Sequence, residues 1–169
     1  NRRANIYVEP QVKLPFAMYD NLTAVCTLSR NGKEQYRSSM KVCMPAFRIS
    51  MQLNDVDLWW PRGYGEPALY DAKLELVNND GDVVASDNQR IGIRTILLVR
   101  DKVNTADRLG RFEFVINGEP IFIHGTNWVP MDGLHSRDKQ HIDEAIAMAA
   151  DLNCNMIRCW GGNVYEAHK

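Results

Sequence analysis

The chain has 169 residues, 45% hydrophobic and 24% charged, with 20 basic residues set against 21 acidic ones and a formal net charge of −1. That length suits one large domain, or one domain with part of a second. The balanced charge, spread along the chain rather than gathered into a basic stripe, argues against a nucleic-acid partner, and no apolar run nears the roughly 18 residues of a membrane-spanning helix.

The N-terminus reads NRRANIYVEP, with neither an initiator Met nor a signal-peptide hydrophobic core, so a mature start or an excised piece is expected. The compartment is not legible there; a periplasmic or extracellular place is favoured over the cytoplasm. Cys26, Cys43, Cys154 and Cys159 form no CxxC pair and have no His at zinc spacing, so neither a metal site nor a cofactor is expected. Cys26 and Cys43 fall on separate predicted strands, which leaves open a disulfide or two free thiols. The sequon Asn21-Leu22-Thr23 is a triplet common by chance.

From about residue 4 to residue 100 the pattern is short strands separated by turn chemistry. Ile6 and Val8 alternate; so do Leu22, Ala24, Cys26 and Leu28, which end at the turn signal Asn31-Gly32. Met40, Val42 and Met44 follow, then Phe47, Ile49, Met51 and Leu53. A strand over 69–77 pairs with 83–86 across Asn79-Asp80-Gly81, and a last strand runs from Ile91 towards Val99. About seven strands at this spacing predict an immunoglobulin-like antiparallel β-sandwich over residues 1–105, without the Cys-Trp-Cys core of antibody domains.

Over 106–169 the period changes. FEFVINGEPIFIHG reads as a hairpin turning at Asn117-Gly118-Glu119-Pro120, and its second arm, Ile121-Phe122-Ile123, suits a strand buried on both faces. A polar loop follows, with Ser136 placed to cap a helix over 138–153 whose apolar residues are Ile142, Ala145, Ile146, Ala149 and Leu152 and whose stop is Asn153. NMIRCW is then a second apolar strand. Strand, loop, helix, strand is a βαβ unit, which cannot bury its own faces, so the chain is expected to stop inside an incomplete (β/α)8 barrel; a whole barrel takes about 250 residues.

In such a domain chemistry gathers at the carboxyl ends of strands. After the first strand come His124, Asn127, Trp128, Asp132 and His135; after the second come Arg158, Trp160, Tyr165 and Glu166. Each end sets a tryptophan beside polar groups. That mixture suits a sugar, whose C–H face packs on an aromatic ring and whose hydroxyls need amide, guanidinium or carboxylate partners. Glycines after Trp160 leave room for a ligand. Arg158 reads either as a cation tuning a nearby carboxylate or as half of a structural ion pair, and spacing alone does not separate the two. Trp59-Trp60-Pro61 reads as an aromatic cluster at a domain seam rather than a binding platform. His124 reads as a strand-end residue, and His141, Asp143 and Glu144 as solvated helix residues.

Taken together, INGEPIFIHGTNWVPMD, the helix and LNCNMIRCWGGNVYE resemble the opening of the catalytic barrel in glycoside hydrolase family 2, in its β-mannosidase branch. DLWWPRGYGEPALYDAKLEL with QRIGIRT is similar to the end of the sandwich domain that precedes that barrel. NWVP and RCWGG are specific as a pair, and set against the β-galactosidase, β-glucuronidase and exo-β-glucosaminidase branches. The resemblance implies a sugar-binding domain before Asn1, most of the barrel beyond Lys169, and a retaining exo-acting hydrolase of terminal β-mannosides. It implies a β-mannoside carbohydrate and the rest of the parent chain as partners. Because the strands around Ile121 and Ile157 lack barrel neighbours, their apolar faces should be covered by the sandwich, covered by another copy of the chain through self-association, or stay poorly ordered. The family's two catalytic glutamates sit on later strands, so none is expected here and the fragment alone should be inactive; Glu166 matches a helix start. By position Arg158 matches the arginine that steadies the nucleophile, and Asn127, Trp128, Asp132 and Trp160 match the substrate-facing rim. The family's usual third glycine after the tryptophan is Asn163 here, a departure that bears on sugar preference. A non-catalytic carbohydrate-binding or interaction module is the alternative of another class, and it predicts sugar binding by residues 1–105 alone.

Overall fold

The computed structural model describes residues 2–101, 104–129 and 140–159, with the backbone alone at 16, 17 and 20. In chain order it has β1 (Arg3–Val8), a 3-10 turn (Phe16–Asn21), β2 (Leu22–Arg30), β3 (Lys33–Lys41), β4 (Ile49–Asn54), β5 (Tyr70–Asn78) and β6 (Val83–Ile91). Then come β7 (Ile96–Asp101), β8 (Arg111–Ile116), β9 (Glu119–Ile121), β10 (Gly125–Trp128), α1 (Ile142–Asp151) and β11 (Met156–Cys159). The chain gathers into two compact units: Asn1–Trp59 with Ala68–Ile93, and Trp60–Pro67 with the chain from Arg94 on.

The first unit is the antiparallel sandwich. One layer is four-stranded, in the order β3-β2-β5-β6, and the other pairs β1 with β4. Because successive side chains of a strand point to opposite faces, alternation in sequence becomes alternation in burial. Leu22, Ala24, Cys26 and Leu28 of β2 are buried, and Ile49, Met51 and Leu53 of β4 are buried while Ser50, Gln52 and Asn54 face out. With Val42, Val56, Tyr70, Leu76 and Ile93 they form one core. Asn31 and Gly32, at φ 53° and 74°, make the two-residue turn that joins β2 to β3. Positive φ at both positions matches the right-handed twist of the strands, which is why Asn-Gly stands there. The buried Tyr19 hydroxyl donates to the Val12 carbonyl at 3.0 Å and accepts from Leu14 N–H at 3.2 Å, tying the approach to β2 onto the core.

Two strands of this unit depart from the apolar pattern. The expected set Met40, Val42 and Met44 gives way to the polar strand KEQYRSSMK, and the strand expected over 83–86 extends as VVASDNQRI to Ile91. Both are edge strands with one neighbour each, where charge and polarity guard against stray pairing. Nor is the stretch from Ile91 to Val99 one sandwich strand. The chain leaves the sheet at Gly92, where an added Cβ would lie 2.8 Å from Trp59 Cγ, and Trp59 N–H bonds the Ile93 carbonyl at 2.9 Å. β7 then pairs with β8 in the second unit, from Ile96 opposite Ile116 to Asp101 opposite Arg111.

The Trp59-Trp60 pair divides between the units. Trp60 rests on Gly65, where a Cβ would come within 2.8 Å of its Cγ. That loop closes on itself through Trp60 N–H to Glu66 O at 3.1 Å and Tyr64 N–H to Pro61 O at 3.1 Å.

Candidate active-site rim on two parallel strands

In the second unit β7-β8-β9 form an antiparallel sheet, and β8 turns into β9 at Asn117 and Gly118, φ 53° and 90°. The chain runs on through β10, α1 and β11, and β10 pairs with β11 in parallel. This is the incomplete barrel segment: hairpin, strand, helix, strand. One boundary moves. The expected strand Ile121-Phe122-Ile123, buried on both faces, is not formed; β9 stops at Ile121, Phe122 is exposed, and the parallel strand is GTNW. Asn127 and Trp128, expected in a loop, therefore stand in the strand itself.

The reason lies in where the main-chain polar groups go, since each needs a partner. The Asn155 side chain takes two of them: its Nδ2 donates to Phe122 O at 2.9 Å and its Oδ1 accepts from His124 N–H at 3.0 Å. The Asn155 and Met156 N–H groups both donate to His124 O, at 2.7 and 3.3 Å. Sequence reasoning passed over this residue. Its one signal was an amide sitting at the mouth of an apolar run, NCNMIR.

Helix α1 carries Asp143 and Glu144 in its first turn, where the helix dipole favours negative charge. His141 is the residue just before the helix, with Nδ1 3.8 Å from the Glu144 carboxylate. At the other end Asn153 adopts φ 59° and donates to Ala150 O at 2.9 Å, while Cys154 N–H reaches Ala149 O at 2.9 Å. That left-handed stop turns the chain into β11.

The register of the parallel pair sets Gly125 opposite Met156, Asn127 opposite Arg158 and Trp128 opposite Cys159. Arg158 Nη1 donates to Asn127 Oδ1 at 3.1 Å. A hydrogen bond to a charged donor fixes which end of the amide is the carbonyl, so the Asn127 –NH2 is the donor left for a hydroxyl. Both side chains are exposed, and Trp128, the next residue along β10 and so on its other face, is half-buried. Of the five residues singled out, the structure thus brings together Asn127 and Arg158, while Trp128 is paired opposite Cys159 on the same two strands. Asp132 and Trp160 lie outside the described residues, as do Ser136, His135, Tyr165 and Glu166. His124 contributes main-chain bonds, with its ring tilted against Phe122 at 5.2 Å between centroids. Cys26 and Cys43 are free thiols, the first buried and the second exposed. No described helix is long and apolar enough to cross a membrane.

Known proteins share sequence and fold with this chain. The profile of glycosyl hydrolases family 2 matches residues 12–94. β-Mannosidase B of Aspergillus flavus is 35% identical over 149 residues, covering 87% of this chain and 17% of that protein. The mannosylglycoprotein endo-β-mannosidase of Lilium longiflorum is 40% identical over 111 residues, covering 65% of this chain and 11% of that one. Among solved structures, the β-D-mannosidase of Dictyoglomus thermophilum superposes with a TM-score of 0.79 at 30% identity, over 98% of this chain and 20% of that chain. The chain therefore spans under a fifth of the curated relatives it matches. The chain is thus similar to glycoside hydrolase family 2, and within that family to its β-mannosidases.

Proposed function

We propose that residues 1–105 and 106–169 are the sandwich domain and the opening of the catalytic barrel of a retaining exo-glycosidase that removes terminal β-linked mannose from oligosaccharides or glycans. The observation that carries this reading is the contact between Arg158 and Asn127 across neighbouring parallel strands. Retaining hydrolysis uses two carboxyl groups about 5 Å apart, one ionised as the nucleophile and one protonated as the acid. A guanidinium close to the first favours its charged form, and an amide offers a directional donor to a sugar hydroxyl. Arg158 is the supporter of the nucleophile, and Asn127, Trp128, Asp132 and Trp160 are the sugar-facing groups. Neither catalytic carboxyl is assigned to this chain, which is expected to be inactive alone.

Support for mannose comes from NWVP and RCWGG, and from the names of the relatives at 35% and 40% identity. The lily enzyme also favours a second reading, attack on an internal mannoside. The test offers the full-length protein nitrophenyl glycosides of β-mannose, β-galactose, β-glucuronic acid and β-glucosamine, together with a glycan whose β-mannose is internal. A preference for the mannoside of about 100-fold or more is expected, since the reacting sugar's hydroxyls are read by buried polar groups. Faster turnover of another sugar moves the protein to a different branch. Cleavage of the internal mannoside alone selects the endo reading. No turnover at all would leave a non-catalytic module, in which residues 1–105 bind sugar on their own.

A further inference from the structure

We propose that Asn155 is a positioning residue: it sets the register of β10 against β11 and thereby holds Arg158 where it meets Asn127. The inference rests on the reading of Arg158 given above. The ladder between these strands is only four residue pairs long, Gly125 to Trp128 against Met156 to Cys159. So short a pairing specifies its own alignment weakly. A slip by one residue would turn Arg158 to the opposite face of the sheet, and a slip by two would set it across from another residue on the same face.

Asn155 stands one position before the first pair, and its side chain acts there as a spare peptide group. The –NH2 bonds the Phe122 carbonyl and the Oδ1 takes the His124 N–H, so the amide bridges donor and acceptor of one segment in both directions. Its own N–H takes the His124 carbonyl at 2.7 Å. These bonds extend the ladder N-terminally by one anchored step. Gly125 makes the next step possible, since a Cβ there would lie 2.8 Å from Met156 O. Three residues beyond Asn155 the aligned strands deliver Arg158 Nη1 to Asn127 Oδ1. At neutral pH an amide of this length carries both a donor and an acceptor without charge. An aspartate keeps the acceptor for His124 and sets a carboxylate against the Phe122 carbonyl, but a protonated carboxyl regains the donor.

The experiment is a double-mutant cycle in the full-length protein, with Asn155→Asp, Arg158→Lys and the pair, assayed on nitrophenyl β-mannoside. Misplacing an anchored catalytic group by about 1 Å costs up to about 100-fold in rate. Asn155→Asp is therefore expected to lower kcat about 10- to 100-fold at neutral pH with KM changed less than about twofold. In the Arg158→Lys background the same substitution should cost almost nothing further, because both act through one group. The kcat ratio of Asn155→Asp to the parent should climb as pH falls towards the carboxylate range. A merely structural asparagine would give additive losses in the cycle, and that outcome overturns the proposal. So does an unimpaired Asn155→Asp beside an impaired Arg158→Lys. If Arg158→Lys is itself unimpaired, the reading of Arg158 fails and this one falls with it. Asn155→Ser, which retains one hydroxyl, passes through the same cycle if Asn155→Asp does not fold.

Discussion

At the scale of single residues, burial separates thiols and amides into different roles. Cys26 is 1% exposed on the inward face of β2, and burial pushes its thiol above the ordinary 9.0. The folded state then holds that proton more tightly than the unfolded chain, so raising the pH through the thiol range removes stability. Cys43 and Cys159 are exposed. A maleimide at pH 7 is expected to label those two first and Cys26 only on unfolding, read by mass spectrometry of the digested protein; early labelling of Cys26 would contradict the core. Asn155 shows the limit of reading residues singly. Its role depends on Phe122 and His124, more than 30 positions earlier, and nothing local in NCNMIR announces that pairing.

Elements were legible where one face is buried and the other is wet. β2 and β4 alternate cleanly because the core and solvent impose opposite demands on neighbouring residues. β3 and β6 were misjudged in extent because an edge strand needs few apolar residues, and hydrogen bonds to one neighbour hold it regardless of pattern. The first parallel strand was displaced by four residues for a related reason: GTNW has no apolar run, and its place is fixed by Asn155 and by close approach at Gly125. That approach gives a direct check. Gly125→Ala should push β10 off Met156 and destabilise the second unit by roughly 1–3 kcal/mol, the usual cost of overpacking. A lower urea midpoint is the expected result, and an unchanged midpoint would show that the strands part freely.

For the whole molecule, the two units differ in what they leave uncovered. The sandwich closes over its core, whereas the second unit exposes Leu97, Leu109, Phe112, Phe122, Met148 and Leu152. Two parallel strands and one helix cannot bury these alone. The 169-residue chain in isolation is expected to self-associate, seen as a concentration-dependent mass in sedimentation, and to leave nitrophenyl β-mannoside intact; a dilute, active monomer would contradict both expectations. The passage from an antiparallel sandwich to a strand-helix-strand segment was readable in the change of hydrophobic period along the chain, whereas the Arg158–Asn127 contact was not, since spacing does not encode which residues two strands set opposite each other. The proposed function requires Arg158 and Asn127 to face a sugar. A crystal structure of the full-length protein with a mannose-configured inhibitor tests it directly. The Arg158 guanidinium is expected at about 3 Å, hydrogen-bond distance, from a glutamate carboxylate at the anomeric carbon, with the Asn127 amide on the same side. An inhibitor bound elsewhere, with the Arg158–Asn127 pair turned away from it, would contradict a sugar-facing role for the pair.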